Sequence, residues 1–323
     1  MNILVTGGAG FIGSHACEHL LGQGHRLTAL DNFEPYYPAE QKRRNIAVAL
    51  VHPNFRLVEG DCGDRATVSA LLQTERFDLV LHLAAQAGVR PSLADPLKYA
   101  RVNVRGLIVL LEALREHGPR RLVAASSSSV YGEVTPAPFR EDAPCLEPLS
   151  PYAATKRGAE IFLGTYHQLH GFQIIIVRPF SVYGPRQRPD MAIAAFGRKI
   201  LLGETVRLFG DGSSARDYTY VSDIVAGLAA AVERFPVEFG IYNLGGSVPV
   251  SLSELVAALE RASGRTAKVQ KEAMQPGDVE RTCADISKSG EELGYAPKVG
   301  LAEGLEKTLD WVRGELRREG HAA

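Results

Sequence analysis

Cysteine is scarce in this chain, and the four present provide no framework. Cys17, Cys62, Cys145 and Cys283 lie far apart, with no Cys-x-x-Cys pair and no Cys/His spacing suited to a metal. A disulfide scaffold and a zinc module are both excluded as organising principles, so free thiols and no metal are expected. Net charge is also nearly absent, at -1 from 36 Lys and Arg against 37 Asp and Glu. Such a chain carries no global field to attract nucleic acid or an anionic membrane, so any anionic ligand must be held by local groups. No apolar run approaches the roughly 18 residues that a membrane span needs. The chain opens on an apolar strand and a glycine turn rather than a charged-then-apolar leader, and a reduced, cytoplasmic protein is expected. Repeats and low-complexity linkers are missing as well. With 45% apolar residues over 323 positions, one large or two modest domains can bury a real core.

What is present begins with Asn2-Ile3-Leu4-Val5, a short apolar strand, followed at once by Thr6-Gly7-Gly8-Ala9-Gly10-Phe11-Ile12-Gly13 and a helical pattern with Ala16, Leu20 and Leu21 on one face. In a strand, turn and helix of this kind, Gly7 permits the tight turn, Gly10 lets a pyrophosphate approach the backbone, and Gly13 lets the helix pack closely. The helix N-terminus is then a phosphate site. Arg26 to Leu30 reads as a second strand ending in Asp31, the distance at which an acid meets an adenosine ribose, and an acid there favours NAD over a cofactor with a 2′-phosphate.

Strands and helices then alternate. Phe55 to Glu59 ends at Gly60-Asp61-Cys62, Leu79 to Leu83 ends at Ala84-Ala85, and Arg121 to Ala125 ends at a serine run, with helices such as Pro96 to His117 between them. A Rossmann-type α/β fold follows, a doubly wound parallel sheet with its ligand at the carboxyl ends of the strands. His82, inside a strand, is read as a packed core residue. A helix from Ser150 to about His170 stops at Gly171 and leads to a strand from Gln173 to Val177, and a further helix runs from Met191 to Leu202. Beyond Gly210-Asp211-Gly212 the elements shorten into a smaller C-terminal α/β lobe, with a capping box at Ser251-Leu252-Ser253-Glu254 and an amphipathic helix from Leu301 to Arg318. Residues 1–180 are expected to bind the cofactor and residues 181–323 the substrate, with some later segments interwoven.

Tyr152 and Lys156 lie four residues apart on a predicted helix and therefore on one face. An ammonium within a few ångströms favours the phenolate, bringing tyrosine from its usual pKa of about 10 towards a useful acid/base range. Ser126-Ser127-Ser128-Ser129 falls where a predicted strand ends, and a serine there can hydrogen-bond a substrate hydroxyl beside the tyrosine. Ser127, Tyr152 and Lys156 form a candidate proton-transfer set.

With these residues in place, the chain resembles the extended short-chain dehydrogenases/reductases of the sugar-nucleotide epimerase and dehydratase group. The likeness runs from Thr6-Gly7-Gly8-Ala9-Gly10-Phe11-Ile12-Gly13 through Tyr152-x-x-x-Lys156 to Pro276-Gly277-Asp278. It implies NAD held by Gly7, Gly10, Phe11, Ile12, Gly13, Asp31, Asn32, Asp61, Cys62, Leu83, Ala84, Ala85 and Asn103, together with Tyr152 and Lys156. A homodimer through the Tyr152 helix and the helix starting near Asp95 is also implied.

Dehydratases of the group carry an Asp-Glu pair where this chain has Ser128-Ser129, and its UDP-glucuronate decarboxylases carry glutamate at the Ser129 position. Without a carboxylate there, deprotonation at sugar C5 has no evident base, which leaves redox at C4 and hence epimerisation. The segment from Arg178 to Met191 is similar to that of bacterial UDP-glucuronate 4-epimerases. That likeness implies a UDP-sugar partner, UDP-glucuronate, whose carboxylate is held by Ser128, Ser181 and Arg188. A guanidinium with two hydroxyls is a charge-assisted carboxylate site in its own right. Arg216 is implied at the pyrophosphate with Arg90 as a second contact, and Asp278 at the uridine ribose. UDP-glucose 4-epimerisation, decarboxylation and a silent redox-sensing role stay open at this point.

Overall fold

In the computed structural model, which describes residues 1–235, 237–273 and 279–321, seven strands form one fully parallel sheet. Their order is Phe239–Leu244, β6 (Gln173–Pro179), β5 (Arg121–Ala125), β4 (Leu79–His82), β1 (Asn2–Thr6), β2 (Arg26–Asp31) and β3 (Phe55–Glu59). Ile3 sits between Leu27 on one side and Leu79 on the other. Helices cover both faces, so β1 must be apolar at successive positions rather than at alternate ones. Ile3 and Val5 enter a cluster with Ala16 and Leu20 of helix α1 (Phe11–Gly22), while Leu4 enters a second cluster with Leu107 and Leu110. The winding direction reverses between β1 and β4, and a crevice opens there at the carboxyl ends of the strands.

The Tyr152 helix spans Pro151–His170 for local reasons. The Ser150 hydroxyl accepts the Ala153 N–H at 3.1 Å at its start, and Gly171, at φ +66, closes it in the left-handed conformation. The helix expected from Pro96 to His117 is present, but Ala100–Arg105 within it is π-helical between Pro96–Tyr99 and Gly106–His117. The seventh strand, Phe239–Leu244, was not foreseen. It follows the helix Val221–Arg234, which packs on α1, so the chain returns to the sheet layer after building part of the second lobe. Among the described residues, the chain after β6 also forms three two-stranded ladders and the helices Ala192–Leu202, Leu252–Ser263 and Leu301–Arg318. Their core continues into the sheet's, since Leu259 and Leu309 share a cluster with Val5 and Leu81. Among the described residues no helix is long and apolar enough to cross a membrane, and no group of His, Cys, Asp or Glu is placed to hold a metal ion.

His82 is a core residue, 8% exposed, sharing a 2.7 Å hydrogen bond between its Nδ1 and the Thr6 hydroxyl. Burial, reinforced by the charge of Lys156, lowers its pKa to about 3. The unfolded chain therefore takes up this proton near pH 6.5 while the folded protein resists it, so stability is lost as pH falls from 6.5 towards 3. We expect His82→Gln to reduce the acid loss of unfolding free energy by up to about 1.4 kcal/mol per pH unit in that window. Urea titrations at pH 7, 6, 5 and 4 measure this; parallel slopes for the two proteins would contradict it.

Candidate active site

The crevice is one cleft of about 980 Å³. At one end lies the turn after β1. Gly7 has φ +75, and a Cβ there would come within 2.7 Å of the Ala84 backbone nitrogen, so the loops after β1 and β4 touch only because this residue is glycine. A Cβ on Gly13 would collide with the Gly7 carbonyl, which explains the close seat of α1 on the turn. The first-turn N–H groups of α1 have no partner within the helix and give this end a positive potential. Asp31, at the end of β2, braces the turn by accepting the Ala9 N–H at 3.0 Å and the Phe33 N–H at 2.8 Å. Asn32 donates to Asp61 at 3.1 Å, tying the end of β2 to that of β3. Bare backbone at a helix N-terminus with a carboxylate at the next strand end is a set that fits a dinucleotide: diphosphate at the turn, ribose hydroxyls at Asp31.

Where β5 ends, successive serines take separate tasks. Ser126 turns inward and donates to Glu160 at 2.6 Å. Ser127 caps the short turn Ser128–Tyr131, accepting the Ser129 N–H at 3.2 Å and donating to the Ser129 hydroxyl at 3.1 Å. Lys156 is buried and donates to the Ala125 carbonyl at 2.9 Å; burial lowers its pKa to about 8, against the opposing pull of Glu160. Tyr152 stands one helical turn earlier, half-buried on the cleft wall and edge-on to Tyr99 at 6.2 Å. Its pKa differs from the expectation. Burial raises it above the usual phenol value, and the Ser127 hydroxyl and the Arg188 guanidinium offset only part of that rise. Low dielectric penalises the phenolate more than a neighbouring cation stabilises it.

The far end of the cleft is lined by residues that follow β6 in the chain. Arg188 forks onto Asp190, with Nε and Nη2 each 3.0 Å from a carboxylate oxygen, and lies 5.2 Å from the Tyr36 ring. Arg186 turns back to Glu18 of α1 at 2.7 Å and is not among the residues lining the cleft. Arg90 stacks on Phe209 at 4.3 Å, and Arg216 donates to the Ala215 and Glu280 carbonyls at 3.0 and 3.3 Å.

Every described residue expected at the site lines this one cleft, Ser128 and Ser181 included, with one exception. Asn103 is displaced from it. Its side chain is used up on the backbone of Gln86, accepting at 2.8 Å and donating at 2.9 Å, and on Thr155 at 3.1 Å, so it clamps the loop after β4 from behind. Asp278 lies outside the described residues. Sequence reasoning missed Tyr36, Asp190, Lys199 and Arg207, which also line the cleft. Asp190 had a signal, being two residues from Arg188; Tyr36 had none, because nothing local shows that the segment after β2 folds over the second lobe.

A doubly wound parallel sheet, a glycine turn opening its first helix and a tyrosine and lysine at the central strand ends define a dinucleotide-dependent enzyme of the short-chain dehydrogenase type. The chain belongs to the NAD dependent epimerase/dehydratase family, whose model matches residues 3–245. It is 41% identical over 311 residues to a UDP-glucuronate 4-epimerase of Thermodesulfobacterium geofontis, covering 96% of this chain and 95% of that one. Among solved structures it superposes on UDP-glucuronic acid 4-epimerase from Bacillus cereus in complex with UDP-glucuronic acid and NAD, with TM-score 0.92, 38% identity and coverage of 98% and 100%. It also matches a UDP-glucose 4-epimerase of Thermotoga maritima with UDP-glucose, with TM-score 0.88, 33% identity and coverage of 98% and 100%.

If Tyr152 carries the proton, Tyr152→Phe should lose turnover by about 10²- to 10⁴-fold. The same variant should keep its affinity for NAD, read by fluorescence titration; near-normal turnover would remove Tyr152 from the chemistry.

Proposed function

We propose that this chain is an NAD-dependent UDP-glucuronate 4-epimerase, interconverting UDP-glucuronate and UDP-galacturonate through a 4-keto sugar. The observation that carries this reading is the placement of Arg188 in one cleft with Ser128, Ser181 and Tyr152, close enough for its charge to act on the tyrosine. A guanidinium with two hydroxyls gives a carboxylate hydrogen bonds charged on both sides, which a neutral hydroxymethyl group cannot match. The names of the two UDP-glucuronate epimerase relatives support the same choice.

Residues 1–180 would hold the cofactor, with the diphosphate on the turn from Gly7 to Gly13 and the adenosine ribose on Asp31. The cofactor these residues would hold, NAD, would supply hydride chemistry at C4, accepting the hydrogen from one face of the sugar and returning it to the other. Tyr152, whose phenolate the Ser127 hydroxyl and the Arg188 guanidinium favour against its burial, takes the C4 hydroxyl proton directly or through Ser127, and gives it back after the sugar has turned over. Residues 181–323 would keep the nucleotide fixed during that rotation, with Arg216 and Arg90 on the diphosphate. A 4-keto uronic acid is a β-keto acid and can lose carbon dioxide. Arg188 suppresses this by stabilising the ionised carboxylate relative to the neutral gas and by holding the breaking bond out of overlap with the ketone.

Exposed Leu97, Ile161 and Leu169, on the Pro96–Tyr99 and Tyr152 helices, support a homodimer through these elements. Free cysteines fit a cytoplasmic location. One observation favours a second reading. The fork onto Asp190 already neutralises Arg188, which would also suit UDP-glucose.

Incubation with UDP-glucuronate, UDP-glucose and UDP-galactose separately, followed by proton NMR, decides between the two. We expect C4 inversion of UDP-glucuronate to exceed that of the neutral sugars by at least about 100-fold in kcat/KM. Arg188→Ala should weaken UDP-glucuronate binding and release some UDP-pentose. Preferred inversion of UDP-glucose, with no change on Arg188→Ala, would replace this reading by the second.

A further inference from the structure

The Arg188 guanidinium carries donors along two edges that can each receive a carboxylate: the side edge of Nε and Nη2, and the end edge of Nη1 and Nη2. Asp190 occupies the side edge with both oxygens at 3.0 Å. The end edge is left for a ligand in the cleft that Arg188 lines. Asp190 is itself held, because its Oδ2 also accepts the Tyr36 hydroxyl at 3.0 Å while the Tyr36 ring stands against the guanidinium. Tyr36 arrives from the segment after β2, next to Asp31 and Asn32, and its hydroxyl abuts Gly88, where an added Cβ would lie 3.2 Å away.

The backbone beneath Arg188 is equally constrained. Buried Gln187 donates to the Val182 carbonyl at 3.0 Å and accepts the Ala194 N–H at 3.2 Å, and the Arg188 carbonyl accepts the Met191 N–H at 3.2 Å. A long, flexible cation is thereby fixed in plane and direction by residues from two lobes.

We propose that Asp190 and Tyr36 are positioning residues for specificity: they hold the side edge of Arg188 so that its end edge meets the substrate carboxylate in plane, a two-point contact that a neutral sugar cannot return. This rests on the reading of the site as one for UDP-glucuronate. A fixed guanidinium edge gives a carboxylate two aligned charge-assisted bonds, whereas a mobile one loses that alignment and with it part of the advantage over a neutral hydroxyl. The same alignment holds the carboxylate plane that protects the keto sugar from losing carbon dioxide.

The experiment is calorimetric titration of the NAD-loaded enzyme with UDP-glucuronate and with UDP-glucose, paired with measurement of the UDP-pentose fraction among products. It compares the wild type with Asp190→Ala, Asp190→Asn and Tyr36→Phe. We expect Asp190→Ala to lose about tenfold of the preference for UDP-glucuronate over UDP-glucose and to raise the pentose fraction. Tyr36→Phe should shift both readouts in the same direction by less. Asp190→Asn should recover part of the loss, since its amide oxygen still accepts one guanidinium N–H. If the wild type shows no preference for UDP-glucuronate, the carboxylate reading fails and this inference falls with it. If the wild type shows the preference and the variants keep it without pentose, or if Asp190→Ala strengthens it, the positioning role alone is overturned.

Discussion

The fork between Arg178 and Glu160 is the interaction on which the rest of the site depends. Arg178 leaves β6 and meets both oxygens of Glu160 on the Tyr152 helix at 2.8 Å, with both side chains 1% exposed. Burial alone would raise the pKa of Glu160, but the bonds from Arg178 and Ser126 hold it below its usual value. Two charges in a low-dielectric interior make this an intolerant contact, because removing one partner costs about 3 to 5 kcal/mol by stranding the other. Geometry gives the fork its importance. It sets the rotation of the Tyr152 helix about its axis, and Ser126 carries that setting to the end of β5. Lys156, one turn before Glu160, then reaches the Ala125 carbonyl, and Tyr152, a further turn back, reaches the cleft wall.

Arg188 repeats the motif at the other end of the cleft in more exposed form. Its side chain is 17% exposed and that of its carboxylate partner 41%. Where Arg178 is sealed inside the scaffold, Arg188 faces the space a substrate would fill. On the proposed reading, the buried pair fixes the helix bearing Tyr152, and the half-exposed pair prepares the recognition of an anion. Tyr152 lies between them with a pKa raised by burial, so any ligand or cofactor charge that favours the phenolate acts on a group that has moved away from neutral pH.

Much of this was legible in the sequence because the signals were local. The turn from Gly7 to Gly13 and the β1 to β5 strands carry their geometry in consecutive residues, and their boundaries fall within a residue or so of expectation. The four-residue step from Tyr152 to Lys156 needs only helical periodicity. Other features depend on contacts between distant segments. Phe239–Leu244 is shown to extend the sheet only by its parallel pairing with β6, a segment about 65 residues earlier in the chain. Asn103 was expected at the cofactor, but the π-helical stretch around it and the nearby Gln86 backbone direct its amide behind the cleft. Tyr36 and Asp190 are 154 residues apart, and only the folded chain shows that they share a hydrogen bond. Tyr152 itself illustrates the limit of reasoning from spacing: the lysine's position could be read from sequence, the depth of burial could not.

On the proposed mechanism C4 is inverted by removal and return of its own hydrogen, with the proton handled by Tyr152. The most direct measurement is conversion of UDP-glucuronate in deuterium oxide with NMR and mass analysis of the UDP-galacturonate formed. Internal return predicts an inverted product with protium retained at C4 and at C5. Deuterium at either carbon, or the absence of inversion, would contradict the account.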